Sequence, residues 1–146
     1  MTPGACIEAA IGLLERIAQG GAPADDIVAG YFRRHRFAGV KDRGAISEHI
    51  YAVLRQRAAL DWWIARAVPG LAQDARRRIL AALVLVEGWE PRAVAKACDG
   101  DRFRPAPLSR EETQLLDALA GQKLEQRDMP LPTRSTSSRR SPPCSA

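Results

Sequence analysis

Arginine carries the most evident chemistry in this chain. Arg33, Arg34 and Arg36 crowd the end of one apolar stretch, Lys41 and Arg43 follow within a few residues, and Arg76, Arg77 and Arg78 form a second cluster. A guanidinium is planar, permanently charged and donates through a rigid fork that matches phosphate oxygens, so such clusters suit a partner with regularly spaced negative charge, most often nucleic acid. Arginines outnumber lysines nineteen to three. Residues 31–78 hold eleven basic side chains against four acids, a net charge of +7, whereas residues 1–30 and 79–129 are both net negative. The charge is therefore concentrated on one part of the chain. On charge alone, a solvated polar face in an arginine-rich composition explains the pattern equally well.

Other chemistries find less support. His35 and His49 are fourteen residues apart, with no carboxylate or cysteine at ligand spacing, so no metal site is expected and both histidines read as solvated or capping residues. The acid pairs Asp25-Asp26 and Glu111-Glu112 each fall in the first turn of a predicted helix, where the helix dipole accounts for them. Three widely separated cysteines give no disulfide framework; Cys6 and Cys98 read as small packing residues and Cys144 as exposed. Pro143-Cys144-Ser145 has no strand before it and no base or positive surroundings to hold a thiolate, so it does not read as a nucleophile. Of the tryptophans, Trp63 is expected in the core and Trp89 at a helix junction, which leaves Trp62 open to stack on a base.

The elements that position these residues read as helices throughout. Apolar residues at Ile7, Ala10, Ile11, Leu14, Ile17 and Ala18 line one face from Pro3 to Gln19, and Gly20-Gly21 ends that helix. A second helix is predicted from Pro23 through Arg36, and a third from Asp42 as N-cap, with Ile46, Ile50, Val53 and Leu54 buried. A continuous third helix would bury Arg57, so a break is expected between Arg55 and Ala59, followed by a fourth helix whose Leu60, Trp63, Ile64 and Ala67 share a face. The next helix, Gln73 to Glu87, carries the apolar run Ile79 to Val86 and should be the central buried one. A short helix follows Pro91, and Ser109 with Glu112 has capping-box spacing at the start of a last helix that Gly121 terminates. These make seven helices.

Composition bounds the rest. At 146 residues and 46% hydrophobic the chain suffices for one cored domain, expected over residues 1–129. Residues 130–146 are Pro-, Ser- and Arg-rich with no apolar face and read as a disordered tail, with a change of reading frame or a premature end expected near Asp128 to Pro130. No apolar run reaches the roughly 20 residues of a membrane-crossing helix. The acidic N-terminal stretch lacks the cationic start of a secretory signal, so a cytoplasmic protein is expected.

The run from Val28 to Ala67 resembles the N-terminal NusB-like domain of the Sun/Fmu-type ribosomal-RNA cytosine methyltransferases. The likeness rests on Tyr31-Phe32-Arg33-Arg34, Lys41-Asp42-Arg43, Ile50 to Arg55 and Leu60-Asp61-Trp62-Trp63. Arg78-Ile79-Leu80, Glu87-Gly88-Trp89 and Asp128-Met129-Pro130 extend it. The resemblance implies an all-α, NusB-like orthogonal bundle that binds RNA beside a catalytic domain. It also implies a glycine-rich turn for S-adenosylmethionine and an attacking cysteine, and this chain offers no place for either. The expected protein is thus not an enzyme and uses no cofactor. It is an RNA-binding module of a small-subunit ribosomal-RNA cytosine-C5 methyltransferase, truncated before the catalytic domain, with Arg33, Arg34, Arg36, Lys41, Arg43, Arg76 and Arg77 contacting phosphates. The alternative is a stand-alone protein-interaction module similar to NusB antitermination factors, meeting a protein partner through the bundle.

Overall fold

The computed structural model describes residues 2–122. The tail from 130 and Cys144 lie outside the described residues. Within them the chain is all-helical: α1 (Pro3–Gln19), α2 (Ala24–Arg34), α3 (Val40–Ala67), α4 (Ala75–Leu85), α5 (Pro91–Ala97) and α6 (Arg110–Leu119). Six helices replace the expected seven because α3 runs on through the anticipated break. That break is present as a kink: Gln56 leaves helical geometry at φ −117°, ψ 21°, and Arg57 emerges exposed instead of entering the apolar face. The cost of burying a charge thus sets the local geometry of the longest helix.

Helix α4 is shorter than the expected Gln73 to Glu87 because Asp74 caps it, its side chain accepting from the Arg77 N–H, and Pro23 caps α2 instead of opening it. Two further boundaries differ from expectation, each for a reason of capping. The third helix begins at Val40 with Gly39 as N-cap; Asp42 is its third residue, and its Oδ2 accepts from the Gly39 N–H at 3.3 Å. Helix α2 stops at Arg34, where His35 takes a non-helical conformation and its Nδ1–H donates to the Tyr31 carbonyl at 2.9 Å, leaving Arg36 in the following turn. The capping box at α6 is as expected, with Ser109 Oγ accepting from Glu112 N–H and Glu112 Oε1 accepting from Ser109 N–H.

Helix α4 is the centre of the packing and meets α1, α3, α5 and α6. Seven consecutive residues, Ile79 to Leu85, are all buried, as a helix surrounded on every side requires. Val86 is already 36% exposed, so the buried run is one residue shorter than the apolar sequence. Gly88, at φ 80°, then turns the chain so that the Trp89 N–H reaches the Leu83 carbonyl at 2.8 Å. From α1, Ile7, Ala10, Ile11 and Leu14 close on this core together with Cys6 and Leu13, while Ala18 stays exposed. Cys6 and Cys98 are buried and free, and burial raises both thiol pKa values, that of Cys98 to about 11. Both are packing residues, held as thiols.

His49 corrects the expectation of a solvated histidine. It is 4% exposed, and its Nδ1 lies 2.6 Å from Glu87 Oε2, joining α3 to the end of α4 with Trp89 edge-on to the ring.

One close approach gives a sharp test of the α1–α5 contact. A Cβ on Gly4 would stand 2.4 Å from the Ala97 carbonyl oxygen and 3.0 Å from Arg104 Cγ, whereas one on Gly12 meets nothing within 4 Å. Urea melts should place Gly4→Ala about 2 kcal/mol below the parent, because backbone must move to admit the methyl. Gly12→Ala should gain up to about 1 kcal/mol from helix propensity. Equal midpoints for the two variants would contradict this packing.

Candidate nucleic-acid interface

The two basic clusters have different environments. Arg33 and Arg34, in the last turn of α2, are exposed, as are Arg36 in the turn and Lys41 and Arg43 in the first turn of α3. Cations complete the C-terminal end of α2 electrostatically, which explains why this sequence can end a helix there. A Cβ built on Gly30 would lie 3.4 Å from Arg34 Nη1 and 3.5 Å from Arg33 Nη2, so the two guanidinium nitrogens converge on one point and are no further apart than twice that distance. Neither Arg33, Arg34, Arg36 nor Lys41 makes an ion pair with a described residue. Two like charges held close together with no acid between them are an arrangement that an anion would stabilise.

Arg43 is partly engaged. Its Nε donates to the Ala38 carbonyl at 3.1 Å and its guanidinium carbon stands 5.7 Å from the centroid of the Phe32 ring, which fixes the side chain beside α2. Arg43 therefore joins the corner formed by α2, the turn and α3 as an oriented cation.

Arg76 and Arg77 have internal work. Arg76 grips Glu112 through Nε at 2.8 Å and Nη2 at 3.0 Å, and the same Nη2 donates to the Ala106 carbonyl at 2.7 Å. Arg77 pairs with Asp74 at 3.0 Å, and its Nε lies 3.1 Å from Glu112 Oε2 without the alignment of a hydrogen bond. Arg78 holds Asp61 at 2.8 Å, tying α4 to the second half of α3. The second basic cluster is thus a set of clamps between helices, whereas Arg33, Arg34, Arg36 and Lys41 at the α2–α3 corner make no ion pair with a described residue.

Glu112, read from sequence as a dipole-stabilised first-turn acid, is in fact 2% exposed. Burial raises its pKa, but hydrogen bonds from Arg76 and the Ser109 N–H, with the charges of both guanidiniums, more than reverse this and hold it below the usual glutamate range.

Sequence reasoning missed a second feature beside the basic corner. Phe37, 72% exposed, and Phe103, 70% exposed, line one cavity of about 480 Å³ together with Tyr31, His35, Glu8 and Arg102. The sequence signal was present in both cases, because each phenylalanine follows an arginine in a segment without apolar periodicity. Trp62, the aromatic that sequence left open, is half-buried, edge-on to Trp63 and covered by the Arg66 guanidinium at 5.2 Å.

Comparison of this chain with family models, with curated proteins and with solved structures finds no match in any of the three.

Proposed function

We propose that this chain is a non-catalytic RNA-binding helical domain, of the kind that accompanies the catalytic domain in ribosomal-RNA cytosine methyltransferases. The observation that carries the reading is the convergence of Arg33 and Arg34 beside Gly30, with Arg36 and Lys41 exposed nearby and none of the four neutralised by a described acid. The dipole of α2 favours cations at its C-terminal end but needs no more than one or two, and further like charges gathered beside them repel one another. A strand of phosphates supplies the missing countercharge, and guanidiniums match it in geometry. Such contacts fix the position of RNA without reading its sequence. The internal engagement of Arg76 and Arg77 confines the proposed contact surface to Arg33, Arg34, Arg36, Lys41 and Arg43.

Fluorescence anisotropy with a single-stranded RNA over a series of salt concentrations tests the reading. Log affinity should fall linearly with log salt, by about 0.7 per phosphate contact. Reversing Arg33, Arg34 and Arg36 to Glu together should lower the slope by about 2 and weaken binding by about 100-fold or more at low salt. Affinity and slope unchanged in the triple variant would remove the corner from the site, and a protein partner captured equally well by both forms would favour an interaction module instead.

A further inference from the structure

We propose that the cleft bounded by the start of α1, the end of α2 and the Arg102-Phe103 turn is a base pocket, which takes one unpaired guanine of a bound RNA strand. The proposal rests on the RNA-binding reading and deepens it, because the basic corner explains affinity for phosphates and leaves the aromatic residues beside it unexplained.

Three observations converge. The first is the exposure of Phe37 and Phe103, both above two-thirds, on the same cleft. Neither ring contributes to the buried core, so each is available as a flat face on which a base can stack. Behind them, Tyr31 and His35 are already stacked on one another, with ring centroids 4.0 Å apart and planes 17° from parallel, and Phe37 meets His35 edge-on at 5.6 Å.

The second is the conformation of Phe103. It has φ 65°, the left-handed region that a bulky side chain rarely adopts, and it is the one described residue other than glycine to do so. The loop around it enforces the strain. Asp99 accepts from the Asp101 N–H at 3.0 Å and from Arg104 at 2.6 Å, the Gly100 N–H reaches the Pro105 carbonyl at 2.9 Å, and Pro105 is buried. A loop tied at so many points that still presents an exposed aromatic ring in a costly conformation is pre-organised for contact. The Arg102 guanidinium, 4.9 Å over the Phe103 ring, adds a second stacking plane and a phosphate donor.

The third is charge. Glu8 is exposed on the cleft; its charge reaches Arg76 through space, yet it makes no ion pair with a described residue, even though Arg102 lines the same cleft. An ionised carboxylate only accepts hydrogen bonds, and guanine offers two adjacent donors on one edge, whereas adenine and cytosine offer a single amino group. Aromatic walls with one acid would also suit a quaternary ammonium. Here Arg102 lies on the cleft and Arg36 adjoins Phe37 in the chain, so the rim repels a cation and attracts the phosphates on either side of a base.

The test uses the full chain with oligouridylate probes carrying one central guanine, adenine or cytosine. The guanine probe should bind about 10-fold tighter than the adenine probe, and Glu8→Gln should level the two. Phe37→Ala combined with Phe103→Ala should weaken the guanine probe by about 10- to 100-fold, the effect of losing base stacking, while the salt slope stays that of the parent because the phosphate contacts remain. Circular dichroism should confirm an intact fold, as both rings lie outside the core, and Phe103→Trp, which restores a stacking face, should recover binding. RNA binding that is unaltered in the double alanine variant, or equal for the three probes, overturns the pocket and leaves the basic corner standing. No salt-dependent binding of any probe overturns both readings, and saturable binding of tetramethylammonium in place of guanine identifies a cation cage and overturns the pocket alone.

Discussion

Glu112→Ala should lower the stability of this domain by about 3 to 5 kcal/mol, the cost of removing one partner from a buried ion pair. The substitution takes its only carboxylate partner among the described residues from Arg76 and a second counter-charge from Arg77, which keeps Asp74, since both arginines lie within 3.1 Å of the Glu112 carboxylate. It also removes the acceptor for the Ser109 N–H at the start of α6. Because the two arginine side chains are 20% and 22% exposed, water can reach them in part, which places the expected value toward the lower end of that range. Glu112→Gln keeps an oxygen for Ser109 and should cost less. The carboxylate also gives the fold an acid-sensitive limb. Its folded pKa is depressed below the ordinary 4.5, so its contribution is complete above that value and is lost as pH falls through the lower folded value. Urea midpoints measured down through this window should fall for the parent and run flatter for Glu112→Gln. A loss under about 1 kcal/mol for Glu112→Ala would show that the clamp is a surface ion pair in energetic terms.

The second large effect is expected at Trp63, where truncation to Ala should cost about 3 to 5 kcal/mol, the usual range for emptying an aromatic site. Trp63 packs against the core beside α4, whereas Trp62 turns toward Arg66 and takes no part in that packing, so Trp62→Ala should cost about 1 kcal/mol. Trp63 has a further property. Its Nε1–H is buried with no hydrogen-bond partner among the described residues, and an orphaned donor costs the fold part of what the ring contributes. Trp63→Phe removes that donor while keeping most of the aromatic volume, so it should remain within about 1 kcal/mol of the parent. Denaturant melts that rank Trp62→Ala below Trp63→Ala in stability, or Trp63→Phe near Trp63→Ala, would contradict the packing described.

Much of the fold was legible before any coordinates, because helices are governed by local rules. The spacing of Ile7, Ala10, Ile11 and Leu14 dictated the buried face of α1, the glycines at 20, 88 and 121 marked helix ends, and Ser109 with Glu112 announced the cap of α6. Even the kink in α3 could be read, since a charge at Arg57 cannot enter an apolar face and the chain had to break beside it. The boundaries at Gly39 and His35 were less legible, because two or three adjacent residues could each have capped those ends.

The sequence by itself determined the helical class, the central place of Ile79 to Leu85 and the concentration of positive charge between residues 31 and 78. Only the tertiary structure decided which of those charges are free. Arg76 meets Glu112 across 36 residues of chain and Arg78 meets Asp61 across 17, while Arg33 and Arg34 make no ion pair with a described residue. The same holds for the aromatic cleft, whose Glu8, Phe37 and Phe103 come from three separate segments. The physical reason is one of range: helix periodicity and capping act over a turn or two of chain, whereas ion pairing and cleft formation depend on which distant segments hydrophobic burial brings together.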